Sequence, residues 1–180
     1  MRSSGQWTLI ATFMVAVLIG AAAKAADVTQ TKTIGPYRIE LNVYPAEPFF
    51  TKQEVADKHV KEGMEIEGGA APVAMDAATH PNHHLVIHVF NKQGGKAETA
   101  ASVTMRFEPV DSKGKSAGAA QEVPVVIMQA IGKGPQSTHY GNNVTMPAGR
   151  YRVTVTVNGK QVVFVVSASD ASGPMAPMKM

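Results

Sequence analysis

Cysteine is absent from all 180 residues. That excludes disulfide cross-links, thiolate metal sites, Cys–His nucleophile pairs and acylation at a lipoprotein cysteine. Charge is sparse as well, at 17% of residues, with no run of Lys or Arg and no basic stretch interleaved with aromatics. Nucleic acid is therefore not an expected partner. There is no phosphate-cradling glycine loop, no nucleophile elbow and no H-E-x-x-H. Ser137-Thr138-His139 is not a triad, because side chains adjacent along an extended strand cannot converge. No enzymatic activity is expected.

Long apolar runs are missing too, with one exception at the N-terminus. Arg2 supplies a positive flank, residues 7–20 (WTLIATFMVAVLIG) form an apolar stretch, and Ala23-Lys24-Ala25 offers an A-x-A cleavage site. The stretch is short for a membrane span and is followed by small residues, where a stop-transfer segment would carry charge. Residues 1–25 are expected to be a cleaved signal peptide, the plainer alternative being an uncleaved anchor. The mature chain then starts at Ala26, has about 155 residues, and is exported to the periplasm. Because Arg2 and Lys24 leave with the leader, the formal charge of +3 falls by two. With no disulfide available, stability must come from a core, which a chain of this size can build.

What the mature chain does contain is β patterning. Residues 27–35 read as a polar lead-in. Tyr37, Ile39, Leu41 and Val43 alternate with polar residues, which predicts a half-buried strand. Thr51-Lys52-Gln53-Glu54 reads as a capping box opening a helix of about three turns that stops at Gly63. From Leu85 onward the pattern is almost wholly β. Ala101, Val103, Met105 and Phe107 alternate, and residues 123–128 read as one edge strand interrupted by Pro124. Tyr151, Val153, Val155 and Val157 share a face, and Asn158-Gly159 is a strong hairpin signal leading into residues 161–166. Six or seven short strands with one short helix predict an all-β, immunoglobulin-like antiparallel sandwich over residues 26–167. Residues 168–180 are expected to be a flexible tail whose Met175, Met178 and Met180 offer weak Cu(I) capture. An ordinary frayed terminus is the plainer reading.

Four of the six histidines fall within nine residues, in His80-Pro81-Asn82-His83-His84-Leu85-Val86-Ile87-His88. Imidazole is the commonest protein metal ligand. In a strand, His83 shares the core face with Leu85, Ile87 and Val89, whereas His84 and His88 point the other way. Four residues of extended chain separate those two by about 13 Å, too far for bonds near 2 Å to a single ion. A ligand from another strand or loop must join them. His139, held just after the Gly-Lys-Gly-Pro turn, is the candidate, and Met128 offers a soft thioether at the end of an apolar strand. The plainer readings are solvated or hydrogen-bonded histidines and a methionine that only packs.

Around His139 the sequence resembles a known family. Met128-Gln129-Ala130, Gly134-Pro135, His139-Tyr140-Gly141-Asn142-Asn143 and Gly149-Arg150-Tyr151-Arg152-Val153-Thr154 are similar to segments of the periplasmic P19-type iron-transport proteins (the FetP/Tp34 family). Met64-Glu65-Ile66-Glu67 and Pro72-Val73-Ala74-Met75 resemble the stretch before that family's first ligand strand. The resemblance spans roughly residues 63–157. It implies an immunoglobulin-like sandwich, often a homodimer, that binds copper and serves ferrous-iron uptake beside an inner-membrane permease. It matches His139 and Met128 to a ligand histidine and a ligand methionine, although the interval between them is four residues longer here. The family's His-x-Glu pair is not reproduced. With Ile87-His88 aligned to the family's Ile-His, Asn82 and His84 occupy those positions; with His84 first, Val86 replaces the acid. A donor set of histidine and methionine without carboxylate favours Cu(I)/Cu(II) over Fe(II).

The expectation is thus a periplasmic metal-binding accessory protein using His139, His84, His88 and Met128. Its metal is copper or ferrous iron, and its task is metal uptake or copper handling. The competing expectation is an exported β-sandwich interaction module that binds no metal. A copper redox enzyme would need a substrate pocket, which no motif suggests.

Overall fold

In the computed structural model, which describes residues 28–67 and 81–169, eleven strands run in two sheets. The leader with its cleavage site, His80 and the methionine tail lie outside the described residues. The larger sheet contains β1 (Val28–Ile34), β2 (Tyr37–Pro45), β3 (Phe49–Thr51), β4 (Met64–Ile66), β5 (His83–Asn91), β8 (Val126–Ala130) and β9 (His139–Val144). Their spatial order is β1-β2-β5-β9-β8-β4-β3. The smaller sheet holds β6 (Val103–Pro109), β7 (Gln121–Val123), β10 (Gly149–Val157) and β11 (Lys160–Ala168), in the order β11-β10-β6-β7. All pairings are antiparallel except β3 with β4.

Alternation fixes which face of each strand enters the core. Ile39, Leu41 and Val43 on β2, Leu85, Ile87 and Val89 on β5, Met105 and Phe107 on β6, and Val153, Val155 and Val157 on β10 are all buried in one cluster between the sheets. The order β2-β5-β9-β8 facing β11-β10-β6 is that of an immunoglobulin-like sandwich. A further hallmark is present at the corner leading into β10, where the Tyr151 hydroxyl donates to the Pro147 carbonyl at 2.8 Å. Asn158 and Gly159 both take positive φ, 47° and 77°, as a two-residue hairpin turn with right-handed twist requires.

Several elements differ from the sequence reading. The polar lead-in is strand β1, paired along its length with β2; its Thr-rich polar pattern belongs to a sheet edge with little buried surface. The capping box forms as expected, but α1 runs only over Lys52–Asp57 and buries no residue. With no apolar face to pack, it cannot extend. Pro124 interrupts no single strand. It lies in the crossover between β7 in the small sheet and β8 in the large one, where a missing N–H costs no ladder bond. Among the described residues, no helix is long and apolar enough to cross a membrane.

Candidate metal centre

The outer face of the large sheet, away from the core, carries the histidines. Register brings together residues far apart in sequence. Ile87 pairs with Tyr140 across β5 and β9, so the next residues, His88 and His139, are also neighbours. Met128 on β8 pairs directly with His139, and Ile66 on β4 with Met128. On the other side, Glu40 of β2 pairs with His88. Glu40, His88, His139 and Met128 thus form one row across four neighbouring strands. His84, paired with Asn143 and Tyr44, stands four residues away along β5.

The side chains close much of that remaining distance. The ring centres of His88 and His139 are 5.3 Å apart, and those of His84 and His139 are 5.8 Å apart. Gly141, opposite Val86, puts no side chain between His139 and Asn143 on that strand. His139 therefore links the two β5 histidines that strand geometry keeps apart. Phe49 covers His84 edge-on at 5.3 Å. Met128 is fully buried and packs with Ile66 and Val126 in a small apolar cluster flanked by Phe49 and Met64. His83 faces the core side, buried at the start of β5. Asn82 holds that strand's entry by donating to the Met146 carbonyl and accepting from the Met146 N–H.

Two of the rings have their tautomer set by backbone. His139 Nδ1 lies 2.8 Å from the Ser137 carbonyl, so it carries the proton and leaves Nε2 with a free lone pair. That Nε2 is buried and has no hydrogen-bond partner among the described residues. His88 Nδ1 faces the Thr138 carbonyl at 3.3 Å, which sets the same tautomer. Neither ring nitrogen of His84 has a hydrogen bond of full geometry, although the Asn143 side chain and Asn142 backbone lie near enough to favour its charged form.

Burial is the main reason all three rings stay neutral. It pushes His84 down to about 3, helped by neighbouring His139. It pushes His139 down to about 4, against the opposing Ser137 carbonyl and with a smaller contribution from His88. His88 is also lowered, by burial first and by the Arg38 charge, with Thr138 opposing. Neutral imidazole with Nδ1–H fixed on a carbonyl is the form that binds a metal through Nε2.

A metal–nitrogen bond near 2 Å puts a ring centre about 3 Å from the ion, so two tetrahedral histidine ligands have centres about 5 Å apart. The observed 5.3 and 5.8 Å are close to that separation. As the rings stand, however, no three His, Asp or Glu side chains among the described residues converge on one ion position. A thioether next to His139 is the other donor in reach by register.

Four residues at this site were not picked out in the sequence. Ser137 and Thr138 act through carbonyls, which every residue has. Phe49 lies on a short strand remote in sequence. Glu40 is one polar position of an alternating strand, and only register places it beside His88. His84 and Val86, the two residues that fall at the family's acid position in the alternative alignments, supply no carboxylate; the acid nearest the group by register is Glu40. Comparison of the chain with family models, curated proteins and solved structures gave no match.

Proposed function

We propose that this protein is a periplasmic metal-binding accessory protein that holds copper at His139, joined by His84 and His88, with Met128 as a soft ligand. Its role would be metal uptake or copper handling, with ferrous iron as the alternative cargo and an inner-membrane permease as the partner. One observation carries the reading. Among the described residues the Nε2 of His139 is buried without a partner, its tautomer set by the Ser137 carbonyl, with two other histidine rings less than 6 Å away. A buried polar atom left unsatisfied costs free energy, and coordination would offset that cost here. The resemblance around His139 to P19-type proteins points to the same residue, and the A-x-A leader supports export.

The test is calorimetric titration of Cu(I) and Cu(II) into wild type and His139→Ala at one pH. His139→Ala should lose at least a hundredfold in copper affinity while keeping its apo melting temperature within a few degrees. Met128→Ala should weaken Cu(I) more than Cu(II), because a thioether is a soft donor. His80→Ala should change little. Equal copper affinity in wild type and His139→Ala would leave only a sandwich with incidental histidines.

A further inference from the structure

Of the three rings at the centre, His84 and His139 are buried and only His88 is partly exposed. Among the described residues, an ion from solvent therefore meets the His88 end first. That end carries a carboxylate and its counter-charge. Glu40 pairs in register with His88, and Arg38 with Phe90, on the same face of β2 and β5. Arg38 forms an ion pair with Glu40 and also lies over the Phe90 ring, 4.2 Å from its centre. Phe90 in turn stacks on His88, with ring centres 5.9 Å apart and planes inclined by 13°.

We propose that Arg38 and Glu40 form an entry latch for metal cations at the open end of the histidine group. Glu40 is the first donor a cation meets, Arg38 occupies it in the resting state, and the ion passes on to His88 and His139. The inference rests on the metal-binding reading above.

Three features support a latch over a permanent ligand. The pair is partly exposed, with 37% and 28% of the two side chains accessible, so it is a weak pair that an arriving cation can open. Phe90 gives the released guanidinium a resting face, because an arginine over an aromatic ring keeps a favourable contact without its carboxylate. Glu40 also does not converge with His88 and His139 on a common ion position. An acid at the mouth of a site raises the local cation concentration and speeds capture. Because it helps ions leave as much as enter, it changes rates and not the final equilibrium. Arg38, of opposite sign, slows both.

The experiment is stopped-flow mixing of Cu(II) with the full exported protein, together with equilibrium titration and the spectrum of the bound ion. Glu40→Gln should slow association at least tenfold, slow dissociation to match, and leave the Kd within threefold and the spectrum unchanged. Arg38→Gln should speed association severalfold. Both differences should shrink as salt is raised from 0.01 to 1 M, where screening shortens from about 30 Å to about 3 Å. Apo melting curves of both variants establish that they fold. Copper binding at an unchanged rate in Glu40→Gln would overturn the latch alone. A changed spectrum with a large loss of affinity would overturn it differently, by making Glu40 a resident ligand. A wild-type protein that binds no copper would overturn the metal-binding reading itself, and the latch with it.

Discussion

At the residue scale, Gly141 is the most constrained position near the site. A Cβ built there would fall 2.1 Å from the Leu85 carbonyl oxygen, which is backbone and cannot move aside cheaply. Gly141→Ala should therefore destabilise the protein by about 3 kcal/mol, in the range of severe single substitutions. Urea unfolding checks it, and a loss below about 1 kcal/mol would mean that the strands separate easily there. Tyr151 gives a milder case. Its hydroxyl satisfies the Pro147 carbonyl at the corner, so Tyr151→Phe should cost about 1 kcal/mol with the fold retained. A near-zero effect in the same denaturation experiment would show that solvent replaces the bond. His139 obeys the same rule in reverse, since its buried Nε2, without a hydrogen-bond partner among the described residues, is a cost that the fold carries.

At the scale of elements, β10 and β5 supply the core, and β5 supplies the site as well. Val153, Val155 and Val157 are fully buried on one face of β10, against Phe107 and Met105 of β6 in register. Val153→Ala should cost about 2 kcal/mol through lost burial and a small cavity. Calorimetric melting would refute this if the midpoint did not fall. Strand β5 shows why one element can serve both purposes. Period two sends Leu85, Ile87 and Val89 inward and His84 and His88 outward, so substitutions on the outer face leave the core packing intact. His139 lies on the same outer face, on β9, so His139→Ala should leave the sandwich folded and, on the proposed reading, reduce metal binding.

At the scale of the whole molecule, the neutral histidines make stability depend on pH. In the unfolded chain a histidine titrates near 6.5, whereas burial lowers His139 to about 4 and His84 to about 3. Between those limits the unfolded state binds more protons, so stability falls as pH falls. The stability is fully present above about 6.5 and is lost progressively below it, on the order of 1 kcal/mol per pH unit for each histidine. Urea midpoints for apo protein measured from pH 7.5 to 4.5 should decline across that window, and His139→Gln should flatten the slope. A midpoint independent of pH in that range would mean that the rings are solvated and charged in the folded state. On the proposed copper reading, added copper should steepen the decline, because protons compete with the ion for neutral imidazole.

The sequence alone determined whatever depends on local pattern. Alternation in residues 37–43 and 151–157 specified strands and their buried faces, and Asn158-Gly159 specified the hairpin, because period and turn chemistry act over a few residues. The same logic placed His84 and His88 on the outer face and too far apart to share one ion by themselves. Tertiary structure decided the rest. It made residues 28–34 an edge strand, since partner pairing outweighed a polar pattern. It shortened the helix, which buries no residue. It split residues 123–128 between two sheets. Above all, register between β2, β5, β9 and β8 set Glu40, His88, His139 and Met128 in one row. Register is a property of paired strands, fixed by which faces the core buries, and no single stretch of sequence carries it.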